Sequence, residues 1–400
     1  MIDLIVIGAG PVGLACALEA ARLGATARVL DAAVGPGASS RAVGVHPSAL
    51  LALAPSGAGD AIAAEARQVR RGEARGRGRV LGAVRFARLG GAYPFVATVP
   101  QQRTEAVLAD RIAALGGSEV VWNAEVRAVR TADDRCAVDV HDAAGGLREE
   151  YARFVVVATG ARGADLTGLR AAARRHEYPD RYLMADVPDR GADGDTAVIH
   201  LHPEGVLESF PLPGGRRRFV AWDRGVPRTA SGAADDGARL GERLRHAVAL
   251  RTGSPAAASA IGAATGFGVR RVLVPRMCRG RVAVIGDAAH EVSPIGGQGM
   301  NLGILDAVTL ARALCGPERR LTDAVAHLDD ALDRWDRRRR RAAVVSGRLA
   351  AANTRVGRAR GEWGDRARSA VLSGTLHSPA ERLLASAYTM RFDPDGRLRG

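Results

Sequence analysis

The chain opens with a pattern that few folds can accommodate. Ile2 to Ile7 reads as a buried strand and runs directly into Gly8-Ala9-Gly10-Pro11-Val12-Gly13, followed by the small-residue helical stretch LACALEAARLG. Strand, glycine turn and helix in this order make a dinucleotide fingerprint. The first glycine allows a tight turn, the second lets the backbone approach a pyrophosphate, and the third lets the helix pack closely on the sheet. The next strand pattern, Ala27 to Leu30, ends in Asp31. An acidic side chain there suits a free ribose 2′-hydroxyl and repels a 2′-phosphate, which points to FAD or NAD rather than NADP.

A second segment supplies the matching half of such a site. Gly286 to Asn301 reads GDAAHEVSPIGGQGMN, between the short apolar strand pattern Arg281 to Ile285 and the helix-spaced NLGILDAVTLARAL. Asp287 therefore falls at a strand end, where a carboxylate can accept hydrogen bonds from sugar-like hydroxyls. Gly296, Gly297 and Gly299 let the backbone approach a flat ring, and the free amides of the following helix would stabilise an anionic reduced flavin. Pro294, Met300 and Asn301 complete this expected cofactor-binding segment. A glycine-rich connection from strand to helix is common in α/β proteins. The two motifs at opposite ends of one chain region point together to FAD.

With these residues in view, the sequence resembles the single-component FAD-dependent aromatic hydroxylases, flavoprotein monooxygenases related to p-hydroxybenzoate hydroxylase. The resemblance covers most of the chain and includes VIGAGPVGL, Gly37 to Ala42, Pro100-Gln101-Gln102-Arg103-Thr104-Glu105, and the segment from Gly286 through Asn301 and Asp306. It implies that Arg41 contacts the FAD phosphate and ribose, that Gln101 contacts the flavin side chain, with Gln102 as the register alternative, and that Asp287 holds the ribityl chain. It also implies that the backbone of Gly299 to Asn301 meets the pyrimidine edge, and that NADH or NADPH reduces FAD before dioxygen yields a flavin hydroperoxide that hydroxylates an aromatic or enolised molecule. One departure stands out. Where the family carries Asp-Gly at the end of a middle strand, this chain reads VVVATGAR, so Thr159 precedes the retained Gly160. That change puts the reception of the nicotinamide in question.

Other function classes fare worse. The net charge of +14 would suit a nucleic-acid binder, but all of the 57 basic residues counted as Lys or Arg are Arg, which together with abundant Ala and Gly reads as codon bias. The run Arg337 to Arg341 falls in a helical pattern with the apolar stripe Leu328, Leu332, Trp335, Ala342, Val345 and Leu349, so most of these arginines are expected on a solvated face. Cys16, Cys136, Cys278 and Cys315 show no metal or disulfide spacing, and no metal is expected. No apolar run is long enough for a membrane span, and the strand beginning at Ile2 leaves no room for a signal peptide. A cytoplasmic monomer or homodimer is expected, with a small aromatic substrate and dioxygen as partners and no specific nucleic acid.

The expected fold is α/β. It comprises a discontinuous Rossmann-like FAD-binding lobe over 1–68, 98–165 and 265–315, a mixed or antiparallel β-sheet substrate lobe over 69–97 and 166–264, and C-terminal helices over 316–400. Strand-like runs Thr196 to Leu201, Val206 to Leu212 and Arg216 to Trp222, joined by proline-glycine turns, should form the sheet whose inner face covers the flavin. His46, His200, His202, Phe210, Trp222 and His290 are the candidates to reach the substrate, one histidine being available to deprotonate a phenol. A dehydrogenase on the same scaffold, or an inactive flavin-binding partner protein, remains the alternative. The absence of a WxWxIP motif disfavours a halogenase.

Overall fold

The computed structural model describes residues 1–37, 42–132, 134–142, 145–161, 163, 165–224, 235–316, 325–393 and 395, and no side chains at 235–236 or 325–328. Two eight-stranded sheets and a small three-stranded sheet organise them. In the first sheet, Val282–Val284, Leu147–Val157, Ile2–Ile7, Ala27–Leu30 and Ser118–Val121 lie side by side and parallel. The register pairs Ile7 with both Val157 and Leu30, and Val157 with Val284. The strands therefore end level, and the turns at Gly8, Asp31, Thr159 and Gly286 leave one carboxyl edge together, where open α/β sheets bind ligands.

Glycine sets the spacing between this sheet and its helices. A Cβ on Gly13 would lie 1.9 Å from the Gly8 carbonyl oxygen, so the helix Pro11–Arg22 can reach the sheet only with no side chain there. A Cβ on Gly303 would lie 2.6 Å from Val12 Cγ2, which brings the helix Gln298–Cys315 equally close to the first.

The second sheet runs His290–Glu291, Thr265–Leu273, Arg174–Pro188, Arg216–Asp223, Leu207–Leu212, Ala197–Leu201, Arg71–Gly76 and Arg79–Arg85. Its ladders are antiparallel except where Ala197–Leu201 meets Arg71–Gly76 in parallel. The glycine pair around Arg77 closes the last hairpin. Arg77 and Gly78 both take positive φ (52° and 73°), as the twist of a two-residue hairpin turn requires. The outer face of this sheet buries Leu183, Val187, Leu207 and Phe219 against Leu244 and Val248 of the helix Asp235–Thr252. The expected return to the cofactor lobe at residue 265 coincides with the start of Thr265–Leu273, whose ladder runs with the second sheet, and the first sheet resumes at Cys278–Arg279. Gly44–Val45, Val96–Thr98 and Arg67–Val69 form the small third sheet.

The helices Val325–Gly357, Gly361–Leu376 and Ala380–Tyr388 follow. Leu332, Trp335 and Ala342 of the expected stripe are buried, whereas Val345 is exposed and the Leu328 side chain lies outside the described residues. The arginine run divides. Arg337, Arg338 and Arg341 are exposed, in keeping with a mostly solvated run, but Arg339 is fully buried. Three carboxylates explain this: Arg339 Nε donates to Asp306 at 2.7 Å, and its Nη1 donates to Asp393 at 2.8 Å and Asp395 at 3.1 Å. Among the described residues no helix is long and apolar enough to cross a membrane.

Removing one member of a buried ion cluster strands the others in a low-dielectric interior. Arg339→Ala is therefore expected to cost about 3–5 kcal/mol of unfolding free energy in chemical denaturation. Arg337→Ala, on the exposed side of the same turn, should change it by less than about 0.5 kcal/mol.

Candidate active site

A cavity of about 2260 Å³ extends from the carboxyl edge of the first sheet to the inner face of the second. That exceeds the roughly 300–1,000 Å³ of a single small-molecule pocket and leaves room for an extended cofactor and a second ligand.

At one end the wall is formed by Gly8, Gly10, Pro11, Val12 and Asp31. Asp31 is held there by two backbone donors, the Ala9 N–H to Oδ2 at 2.6 Å and the Ala33 N–H to Oδ1 at 2.8 Å. A Cβ on Gly10 would meet no protein atom within 4 Å, although Gly10 caps a tightly packed helix. The room beside it therefore belongs to the cavity. That helix has no side-chain cap and no acid in its first turn, so its amides and the positive end of its dipole face the cavity unopposed. Gly13 does not line the cavity, because it faces the Gly8 carbonyl. Gln101 lines the wall and bonds Glu105 through Nε2 at 2.8 Å, while Gln102 turns away to the Gly37 carbonyl. Arg41 lies outside the described residues.

The middle of the cavity is lined by Thr159, Gly160, Asp287, Pro294, Gly296, Gly297, Gly299 and Met300. Gly297, with φ 65°, begins the helix Gln298–Cys315, which also lacks a side-chain cap and a first-turn acid. The Asp287 carboxylate lies over this helix end, its Oδ1 3.7 Å from where a Cβ on Gly299 would stand. Asn301 is fully buried and faces away from the cavity. It accepts from the His46 N–H and donates to the carbonyls of Gly44 and Gly297, each at 2.8 Å, fastening the third sheet to the helix start.

The residue that fixes the Asp287 turn comes from outside both motifs. Arg170 donates to the carbonyls of Asp287 (2.7 Å), Ala288 (3.0 Å) and Ala161 (2.7 Å), and pairs with Glu291, which also pairs with Arg270. The partners lie 117 positions apart for Asp287, so no local pattern could reveal them.

At the far end the wall is the inner sheet face, including Met184, Ile199, Leu201, Glu208, Phe210 and Val220, with Ile295 reaching across from the glycine turn. Of the six substrate candidates, His46 and Phe210 line the cavity. Burial pushes His46 down to about 4, so it is neutral near pH 7, and its Nδ1 has no hydrogen-bond partner among the described residues. The other four do not line the cavity. His200 alternates with the inward Ile199 and Leu201 and so points to the opposite face. His202 Nδ1 accepts the Glu204 N–H within its own turn, Trp222 donates to Asp180 at 2.8 Å, and His290 Nε2 bonds Asp306 at 2.5 Å in the buried ion cluster. Glu208 and Tyr388 line the cavity and were not anticipated, because each is separate from any motif.

A family profile described as FAD binding domain matches residues 1–345. The 6-methylpretetramide 4-monooxygenase of Streptomyces rimosus is 35% identical over 318 residues, covering 77% of this chain and 55% of that protein, so the chain spans little more than half of its length. The crystal structure of p-nitrophenol 4-monooxygenase from Pseudomonas putida DLL-E4 has a TM-score of 0.83 at 23% identity, with 100% of this chain and 99% of that chain covered. An anhydrotetracycline hydroxylase from Streptomyces rimosus gives 0.75 at 26% identity, covering 97% and 75%.

The two glycines of the first turn should respond oppositely to substitution. Gly10→Val places its side chain in the cavity, so ligand-free stability should move by less than about 0.5 kcal/mol while FAD no longer co-purifies. Gly13→Ala meets backbone at 1.9 Å and should fail to give folded protein by circular dichroism.

Proposed function

Because this chain belongs to the FAD binding domain family, we propose that it is an FAD-dependent monooxygenase that hydroxylates an aromatic or enolised small molecule, with NADH or NADPH as reductant. The observation that carries the reading is the shared cavity, in which a dinucleotide cradle and an apolar sheet face enclose one continuous space. Two matched proteins, the 6-methylpretetramide 4-monooxygenase and the anhydrotetracycline hydroxylase, support the reaction class by name.

The residues present fit FAD. Gly10 leaves open room at an uncapped helix N-terminus, as a pyrophosphate requires, and Asp31 presents a carboxylate at the second strand end. Asp287 would accept from the ribityl hydroxyls, and the amides at the start of Gln298–Cys315 would face the ring's pyrimidine edge. Bound here, FAD would supply hydride acceptance from the nicotinamide and activation of dioxygen for transfer to an electron-rich carbon.

The protein's own contribution is position and a dry wall. Arg170 fixes the carbonyls of Asp287 and Ala288, so the turn that presents Asp287 does not rearrange when it is engaged. Ile295, Val220 and Leu201 pack together beside the cavity and exclude water from the reacting carbon. His46 is neutral at working pH and brings no charge to the cavity.

Aerobic incubation with a phenol and NADH or NADPH should yield a product that carries one atom from isotopically labelled dioxygen, read by mass spectrometry. Substrate turnover that continues without oxygen would instead identify a dehydrogenase.

The strand end at Thr159 yields a second expectation. Thr159 lines the cavity beside Gly8, and no carboxylate stands at its position. Flavin reduction should therefore be slow without a phenol present, and Thr159→Asp should accelerate it in stopped-flow absorbance with either nucleotide. Rapid reduction of the unmodified protein by NADH or NADPH alone would contradict this.

A further inference from the structure

The inner face of the second sheet carries a carboxyl group for which the described residues offer no partner. Glu208 lies within Leu207–Leu212, opposite Ile199 on one neighbouring strand and Val220 on the other. Strand alternation turns Leu207 to the outer face, where it packs with Leu244 and Val248, and turns Glu208 and Phe210 into the cavity. Glu208 is 5% exposed and has no hydrogen bond or ion pair among the described residues. Its cross-strand neighbours belong to the apolar cluster that includes Tyr182, Leu201 and Ile295.

The surroundings give this carboxyl nothing to neutralise it. Burial pushes it up to about 8, with no cation holding it down. The titratable groups around it are the hydroxyls of Tyr182 and Tyr388. Burial raises both, and the charge of Glu208 adds to the rise, taking Tyr388 to about 12. The arginines reaching the cavity are engaged elsewhere, Arg218 with Asp186 and Arg270 with Glu291, and Arg181 is exposed to solvent. A buried carboxyl without a donor destabilises the fold that contains it. Its position is explained if a donor arrives with the ligand.

We propose that Glu208 recognises the substrate: its carboxyl accepts the hydroxyl hydrogen of an otherwise apolar, uncharged hydroxyarene or enol lying along the sheet face, and it discriminates against aromatic carboxylates. The assignment rests on the monooxygenase reading of this cavity. A hydroxyl donor supplies the missing hydrogen bond. A bare hydrocarbon leaves the carboxyl unpaired, and an anion gives up its hydration to an apolar wall whose described arginines are paired or turned to solvent.

The test uses the FAD-loaded chain and three probes with one ring system, 1-naphthol, naphthalene and 1-naphthoate. Binding is followed by calorimetry and by perturbation of the flavin absorbance, so no turnover is needed. The wild-type protein is expected to bind 1-naphthol at least about tenfold more tightly than naphthalene, and 1-naphthoate the most weakly. Glu208→Met should erase the preference for 1-naphthol over naphthalene. Glu208→Gln keeps the shape and an acceptor, so it should retain part of that preference.

Melting of the ligand-free proteins checks the variants independently. The folded carboxyl titrates at about 8 against an ordinary value of 4.5, so the folded state holds an extra proton between these values and loses stability as pH rises through them. Glu208→Gln should therefore melt above wild type, with the gap widening across that window. Equal wild-type affinity for 1-naphthol and naphthalene overturns the proposal, as does tight binding of 1-naphthoate, a preference retained by Glu208→Met, or failure of all three probes to bind. Incorporation of labelled oxygen into 1-naphthol is scored separately. Selective binding without oxygenation supports the recognition role and counts against the monooxygenase reading.

Discussion

Asp306 is the constraint on which the cofactor end of this structure depends. Its buried carboxylate accepts the Gly286 N–H at 3.2 Å, His290 Nε2 at 2.5 Å and Arg339 Nε at 2.7 Å. These donors come from the start of the Asp287 turn, from its end, and from the long helix Val325–Gly357. Burial drives Asp306 toward neutrality, but His290 beside it and the Arg339 guanidinium hold it below its usual range, so the carboxylate is the stable form. Arg339 in turn draws in Asp393, Asp395 and the Leu302 carbonyl. The geometry of Asp287 is thus fixed by charges far from it in sequence, and the C-terminal segment also holds the glycine turn directly, through Thr354 on Ser293 and the Ala387 carbonyl on Gln298.

The same reasoning explains what the sequence could reveal. The opening strand, its glycine turn and Asp31 were legible because their chemistry is local. Gly8 and Gly13 meet within one turn, and Asp31 is reached through a single adjacent strand. The Gly286–Asn301 segment was legible for the same reason. Arg339 was not: a run of arginines reads as a solvated face unless one knows that Asp306, 33 positions away, and Asp393, 54 away, converge on one of them. Among the substrate candidates, strand alternation separates His200 from Ile199 and Leu201, a distinction the sequence contained but which needed the inward face to be known. Glu208 was hidden by the converse effect, since a charged residue inside a strand ordinarily marks the solvent side.

Why the second sheet has room for a ligand follows from how its faces are covered. The outer face is filled by Leu244 and Val248 from a helix lying directly on it. Among the described residues the inner face has no such helix along it. Ile295 covers part of it from the glycine turn, and Leu372 and Tyr388 approach from the C-terminal helices. Because Ile295 follows Pro294 and precedes Gly296, the segment that lines the middle of the cavity also closes its sheet end. A shift of this turn would open both at once, and Arg170 braces it by holding the Asp287 carbonyl while pairing with Glu291.

Charge completes the division of the cavity. Two uncapped helix N-termini, at Gly10 and Gly297, present backbone donors and partial positive charge to the cofactor half. The sheet half presents apolar side chains and Glu208, with its nearby arginines committed to Asp186 and Glu291. A phosphorylated dinucleotide is therefore favoured at one end and opposed at the other, while a neutral hydroxylated ring experiences the reverse. One cavity can thus hold two ligands in a fixed order without a wall between them, because each would leave charges unpaired in the other's place.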